Sequence, residues 1–232
     1  MRRPPATEPP APAPAIWHPS PNFGDRRDGL GPSYIMLHYT VLALDAALER
    51  LCAPEHEVSA HYLIARDGRL YQLVDEAKRA WHAGAGSWDG HADMNSRSIG
   101  IELENCGASP FAAPQMDRLE ALLGDLLLRY QIAPARVIGH SDFAPDRKRD
   151  PGARFDWARL ERCGLAGRRG DGPGPRDGDA ALFRAVARDA GYSADVDDAT
   201  LLAAVRLRYR PWAEGKLGPE DFIALGHGAL WT

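Results

Sequence analysis

The chain has 232 residues, room for one medium domain and a smaller one, with 44% hydrophobic and 26% charged residues, the balance of an ordinary folded protein. A net charge of −4 argues against nucleic acid as the main partner, which demands a basic surface. The three cysteines, Cys52, Cys106 and Cys163, are odd in number and widely spaced, which excludes a disulfide framework and a paired-cysteine zinc knuckle.

Residues 1–16 begin Met1-Arg2-Arg3 and continue as Pro/Ala-rich sequence through Pro14, the composition of a disordered or polyproline-II tail. Prolines follow the charges at once, so no apolar signal core forms there. No stretch approaches the ~20 apolar residues of a membrane span. The expected location is the cytoplasm, or the periplasm or envelope if the stated start omits a leader.

Tyr34 to His38 is a short apolar run that reads as a buried strand with a histidine at its end. Leu44, Ala47, Leu48 and Leu51 recur at helical spacing. The runs 61–65 and 69–74 flank Asp67-Gly68, a hairpin signal. In Ser98–Glu104 the alternation puts Ile99, Ile101 and Leu103 on one face, and Gly100, Glu102 and Glu104 on the other. Pro114 opens a helix whose stripe is Met116, Leu119, Leu122, Leu123, Leu126, Leu127 and Tyr130. Val137 to His140 reads as a further strand ending in histidine.

Strands mixed with helices, one hairpin among them, predict an α/β catalytic domain over 17–166 with a mixed central sheet flanked by helices. Residues 167–178 have linker composition. Over 179–232, three helical patterns follow at 180–190, 198–209 and 219–225. Leu182, Phe183, Val186, Leu201, Leu202, Val205, Phe222 and Leu225 are the candidates for a small core. So short a unit is marginal alone, so it is expected to dock on the larger domain.

Two histidines at strand ends, His38 and His140, and Asp150 ten residues beyond the second, are the donor types of a catalytic zinc. Taken singly, each also fits a hydrogen-bonded surface histidine or a turn aspartate. Glu102 is the candidate general base; without context the solvated strand face it shares with Glu104 is the reading that would win. Lys148, two residues before Asp150, points to the same side if that stretch is extended, where it could stabilise an oxyanion. No HExxH pattern supports a metallopeptidase helix.

The ordered segments Ser20–Asn22, Ile35–Thr40, Val58–Leu63, Ala80–Gly84, Asn95–Asn105 and Gly139–Gly152 resemble the zinc-dependent N-acetylmuramoyl-L-alanine amidases of the peptidoglycan-recognition-protein-like superfamily, in particular the AmpD/AmiD type. The resemblance implies one Zn2+ per chain on His38, His140 and Asp150, Glu102 activating the attacking water, and Lys148 assisting at the carbonyl oxygen. Ala60 stands where animal and phage relatives carry a tyrosine, which agrees with the glutamate-using branch. Trp81 and His82 fall in the loop that rims the substrate groove in the family. His61 is a further candidate contact, with a structural role favoured for it. The segment 179–230 is similar to the C-terminal helical domain of AmiD-type enzymes, itself related to peptidoglycan-binding modules. The implied substrate is peptidoglycan or its muropeptide fragments, in cell-wall recycling, and the expected state is a monomer. A module that binds peptidoglycan without cleaving it is the rival reading; such members commonly lack a metal ligand.

Overall fold

In a computed structural model, which describes residues 14–171, 175 and 178–225, a six-stranded mixed sheet forms the centre. Its strands are β1 (Ile16–Trp17), β3 (Tyr34–Tyr39), β4 (Tyr62–Ile64), β5 (Leu70–Gln72), β7 (Ser98–Leu103) and β8 (Val137–Gly139), in the order β1-β5-β4-β7-β3-β8. β2 (Phe23–Asp25) and β6 (Lys78–Ala80) pair separately as an antiparallel ribbon. The helices are α1 (Leu44–Cys52), α2 (Met94–Arg97), α3 (Ala113–Tyr130), α4 (His140–Phe143), α5 (Trp157–Arg162), α6 (Ala180–Asp189), α7 (Asp198–Tyr209) and α8 (Pro219–Leu225). Among the described residues, no helix is long and apolar enough to cross a membrane.

β3 runs parallel to both neighbours, β7 and β8, and β4 is parallel to β7, while β4 and β5 form the expected antiparallel hairpin. Alternation along β3 divides the core between two faces. Ile35 and Leu37 join Ile99, Ile101, Leu103 and the apolar stripe of α3. Tyr34 and Met36 join Ile138 on the opposite face, where Phe183, Val186, Val205 and Phe222 of the C-terminal helices cover them. α1 covers the β4–β5 part of that second face with Ala47 and Leu51 against Leu63 and Leu73. The in-register pair His38 and Glu102 therefore emerges between α1 and the C-terminal helices, near the carboxyl ends of parallel strands.

The sequence pattern and the structure differ at particular places. Ile16, expected as the last residue of the tail, pairs with Tyr71 in β1; residues 1–13 of that tail and most of residues 172–177 lie outside the described residues. The strand expected to end in His140 stops at Gly139, and His140 opens α4. Residues 145–151 turn instead of extending: the Lys148 N–H donates to Ala144 O (2.9 Å). The three C-terminal helices lie where the pattern put them, with Asp179 and Asp197 accepting from the N–H groups of Leu182 and Thr200 at the starts of α6 and α7. Leu182, a candidate for their core, is instead 37% exposed, because it lies on the solvent side of α6.

Candidate metal centre and active site

β3, α4 and the turn after it bring three donors together. His38 Nδ1 lies 2.9 Å from Asp150 Oδ2, His140 Nδ1 lies 3.0 Å from the same oxygen, and the two Nδ1 atoms are 2.9 Å apart. All three residues are buried. The Ser141 N–H donates to Asp150 O (2.9 Å), which pins the aspartate to the helix that begins with His140.

The surrounding hydrogen bonds fix the tautomers. His140 Nε2 is 2.8 Å from Ala83 O, an acceptor only, so the proton sits on Nε2 and Nδ1 keeps its lone pair. Around His38 the argument runs outward. The Ser98 hydroxyl donates to Met94 O (2.7 Å), which leaves its oxygen to accept from His82 Nε2–H at 3.3 Å. His82 Nδ1 must then accept from His38 Nε2–H at 3.0 Å, and His38 Nδ1 also keeps a lone pair. Two imidazole lone pairs and a carboxylate thus face one another with no hydrogen between them. Such a set repels itself unless a cation lies in its middle, and two nitrogens with one carboxylate are the donors of a single divalent metal with a position left open.

Glu102 stands beside this group. Its Oε2 is buried and makes no hydrogen bond among the described residues. Burial, and then the charge of Asp150, raise its pKa to about 8, against the pull of Lys148. A cation among the ligands would draw that value back down. Glu104, which shares its strand face in sequence, serves another purpose: its carboxylate accepts from the backbone N–H groups of Leu44 and Arg66. Burial, and then the neighbouring His140, lower the pKa of His38 to about 4 against the opposing pull of Asp150.

A cavity of about 400 Å³ opens over the centre, lined among others by His38, Trp81, Glu102, His140, Lys148 and Asp150. Its rim carries Val41, a β-branched residue at φ 61° and 64% exposed, a strained backbone of the kind that gathers at functional sites. A larger cavity, about 1050 Å³, lies between α5 and the α7–α8 pair, and neither the metal donors nor Glu102 line it.

The structure sorts the remaining sequence candidates. Trp81 and His82 both line the cavity, but His82 spends its two nitrogens on His38 and Ser98. His61 is fully enclosed and does not line this cavity: its Nδ1 accepts from Gly100 N–H (3.0 Å), and its Nε2 lies near Lys78 O (3.0 Å) and Arg26 Nη2 (3.2 Å). Ala60 is fully buried. Reading the sequence missed Ser98, the Ala83 carbonyl and Asp142. Ala83 follows the candidate His82 and Asp142 lies two residues after His140, but neither position signals its hydrogen bond in sequence.

A mixed α/β sheet with two histidines at strand ends, an aspartate from the turn after α4 and a buried glutamate alongside defines the class: a hydrolase whose donors could hold one metal ion. The family model described as N-acetylmuramoyl-L-alanine amidase matches residues 28–153, and the chain belongs to that family. It is 39% identical over 147 residues to N-acetylmuramoyl-L-alanine amidase AmiD of Escherichia coli K12, a match spanning 56% of this chain and 52% of that protein. It is 38% identical over 160 residues to 1,6-anhydro-N-acetylmuramyl-L-alanine amidase AmpD of Citrobacter freundii, spanning 61% of this chain and 86% of that one. Among solved structures, the complex of E. coli AmiD with anhydro-N-acetylmuramic acid-L-Ala-D-gamma-Glu-L-Lys matches with TM-score 0.76 at 29% identity, over 88% of this chain and 95% of that one. AmpDh3 of Pseudomonas aeruginosa with anhydromuramic pentapeptide matches with TM-score 0.74 at 30% identity, over 89% and 92%. Both structural matches cover more of the chain than the part before Asp179, so the likeness extends into the C-terminal helices.

Proposed function

We propose that this amidase hydrolyses the amide between the lactyl group of N-acetylmuramic acid and L-alanine in peptidoglycan fragments, with His38, His140 and Asp150 holding one Zn2+. The observation that carries this reading is the convergence of two neutral imidazole lone pairs and a carboxylate beside a glutamate with an unpaired oxygen. Zn2+ in that position would polarise the amide carbonyl and lower the pKa of a water to roughly 7. Glu102 takes a proton from the attacking water; its raised proton affinity suits it to receive that proton and then return it to the nitrogen of the leaving L-alanine. The Lys148 ammonium, at the cavity wall, faces the oxyanion of the tetrahedral intermediate. Trp81 offers a ring face at the rim for the sugar or the stem peptide. The products are the free lactyl carboxylate and a peptide beginning with L-alanine.

The anhydro-muropeptides bound in the AmiD and AmpDh3 structures favour soluble recycling fragments as the substrate class. We further propose that the chain divides into a catalytic unit at 17–166 and a helical unit at 179–232 joined through 167–178. The test is release of L-Ala-started peptides from purified anhydro-muropeptides and from intact sacculi, for the wild type with and without chelator and for Glu102→Ala. Glu102→Ala should keep stoichiometric zinc and lose about 10²–10⁴ of kcat, the usual contribution of a general base. Near wild-type turnover in that variant removes Glu102 from the role, and no release by zinc-loaded wild type would favour a binding module.

A further inference from the structure

His140 is held at two points, and both lead to the C-terminal helices. The first is α4, the single turn that His140 opens. Asp142, 1% exposed, accepts the Gly139 N–H on Oδ2 (2.8 Å) and so fixes the step from β8 into that turn. The same Oδ2 accepts from Arg208 Nη1 (2.6 Å), and Oδ1 accepts from the Tyr192 hydroxyl (2.8 Å). Arg208 belongs to α7 and is 5% exposed. Its Nη2 donates to Val137 O (3.1 Å), at the start of the strand that delivers His140, and its guanidinium carbon lies 4.0 Å from the centroid of the Trp157 ring. One side chain of α7 therefore grips both ends of the β8–α4 junction.

The second point is the loop carrying Ala83, whose carbonyl sets the tautomer of His140. That loop is gripped by the connection between α6 and α7. The Asp89 N–H donates to Gly191 O (2.7 Å), the Gly90 N–H donates to Ser193 Oγ (3.0 Å), and the Ser87 and Ser193 hydroxyls lie 2.7 Å apart. The Trp88 and Tyr192 rings meet edge to face at 4.8 Å between centroids. Gly191 sits at φ 111°, and a Cβ there would come within 2.5 Å of the Trp88 ring, so the contact needs a glycine.

A module that only held substrate could dock through apolar contacts alone. A buried ion pair is retained at a desolvation cost that its hydrogen bonds must offset, and here Asp142 accepts from three donors. We infer that Arg208 and Tyr192 are positioning residues for the ligand His140, so that the C-terminal helices complete the metal centre through Asp142. This rests on the metal assignment proposed above.

The experiment compares zinc affinity, by competition with a chromophoric chelator, in the full-length wild type, Arg208→Lys and Tyr192→Phe. Leu201→Ala, which removes apolar packing from the same C-terminal core but no hydrogen bond to Asp142 or to the 83–91 loop, is the control for general loosening. Lysine keeps the charge but lacks the fork that reaches Asp142 and Val137 together. Arg208→Lys should weaken zinc binding about 10–100-fold, the range for lost support behind a ligand, and alter the visible spectrum of the Co2+-substituted protein. Tyr192→Phe, which removes one hydroxyl and keeps the ring, should do the same by a smaller factor, and KM should stay near its wild-type value. Leu201→Ala should lower the melting temperature and keep the wild-type zinc affinity. Wild-type affinity and Co2+ spectrum in both Arg208→Lys and Tyr192→Phe would overturn the inference, as would an equal loss in Leu201→Ala. A wild type that binds no zinc would instead overturn the metal assignment, and this inference with it.

Discussion

Gly100 shows how one missing side chain can set a metal ligand. It sits on β7 opposite Met36, on the same strand face as Glu102. A Cβ at this position would lie 2.5–2.7 Å from atoms of the His82 imidazole, the ring that accepts the His38 Nε2 proton. Gly100→Ala should therefore push His82 aside and release the tautomer of His38. The expected outcome is a zinc affinity lower by about tenfold or more, with a stability loss of about 1–3 kcal/mol from overpacking. Zinc titration and a thermal melt measure both, and unchanged affinity would show that His82 does not govern His38. The sequence made Gly100 and Glu102 legible as neighbours on one face, because strand alternation is local. It placed His82 only on a groove rim. That its nitrogens close on His38 and Ser98 depends on how the loop after β6 folds over β7, which no short-range pattern encodes.

At the scale of elements, Glu76 fastens α3 to the hairpin. Its carboxylate accepts from Tyr62 on β4 (2.5 Å), and from Tyr130 (2.7 Å) and Arg129 (2.7 and 2.8 Å) at the end of α3. Burial alone would raise its pKa, but the hydrogen bonds from Arg129, Tyr62 and Tyr130 outweigh burial and hold it at about 2. A folded-state pKa below the unfolded one means stability that is present above about 4.5 and lost as the pH falls through that value toward 2. With Arg129 partly in solvent, the contribution is about 1–3 kcal/mol. Glu76→Gln should lower the melting temperature at pH 7 and flatten its decline between pH 4.5 and 2. A variant curve that stays parallel to the wild type over that range would remove Glu76 from the acid response. The long elements were readable, since α3 and α6 carry enough turns to show their period. α4 was not, because four residues are too few for periodicity and its start is set by the Asp142 side chain capturing the Gly139 N–H. The turn at 145–151 was likewise hidden, although Lys148 and Asp150 still line one cavity.

For the whole molecule, the question is whether the C-terminal helices are a separable attachment. The sequence pointed to docking, because so short a unit is marginal alone, but it did not show where. Tyr34–His38 reads as apolar on both faces, and nothing in that run tells which face takes α3 and which takes α6–α8. The structure puts Tyr34 and Met36, both at most 2% exposed, under Phe183, Val186, Val205 and Phe222. Removing residues 179–232 would open that face of the sheet to water. It would also strip Arg208 and the Tyr192 hydroxyl from Asp142, whose carboxylate loses both partners as that face opens. Against a typical total stability of about 5–15 kcal/mol, the two losses together leave little margin. A fragment of residues 1–178 should therefore aggregate, or melt far below the full chain, when the two are compared by size-exclusion chromatography and calorimetry. A soluble, monomeric fragment with an unchanged melting temperature would show that the sheet needs no cover from these helices. The mechanism also predicts which single change comes nearest to the truncation. Arg208→Ala leaves the apolar side chains of α6 and α8 unchanged, so whatever part of the fragment's destabilisation it reproduces belongs to the contacts of Arg208 with Asp142, Val137 and Trp157, and the remainder to the uncovered face.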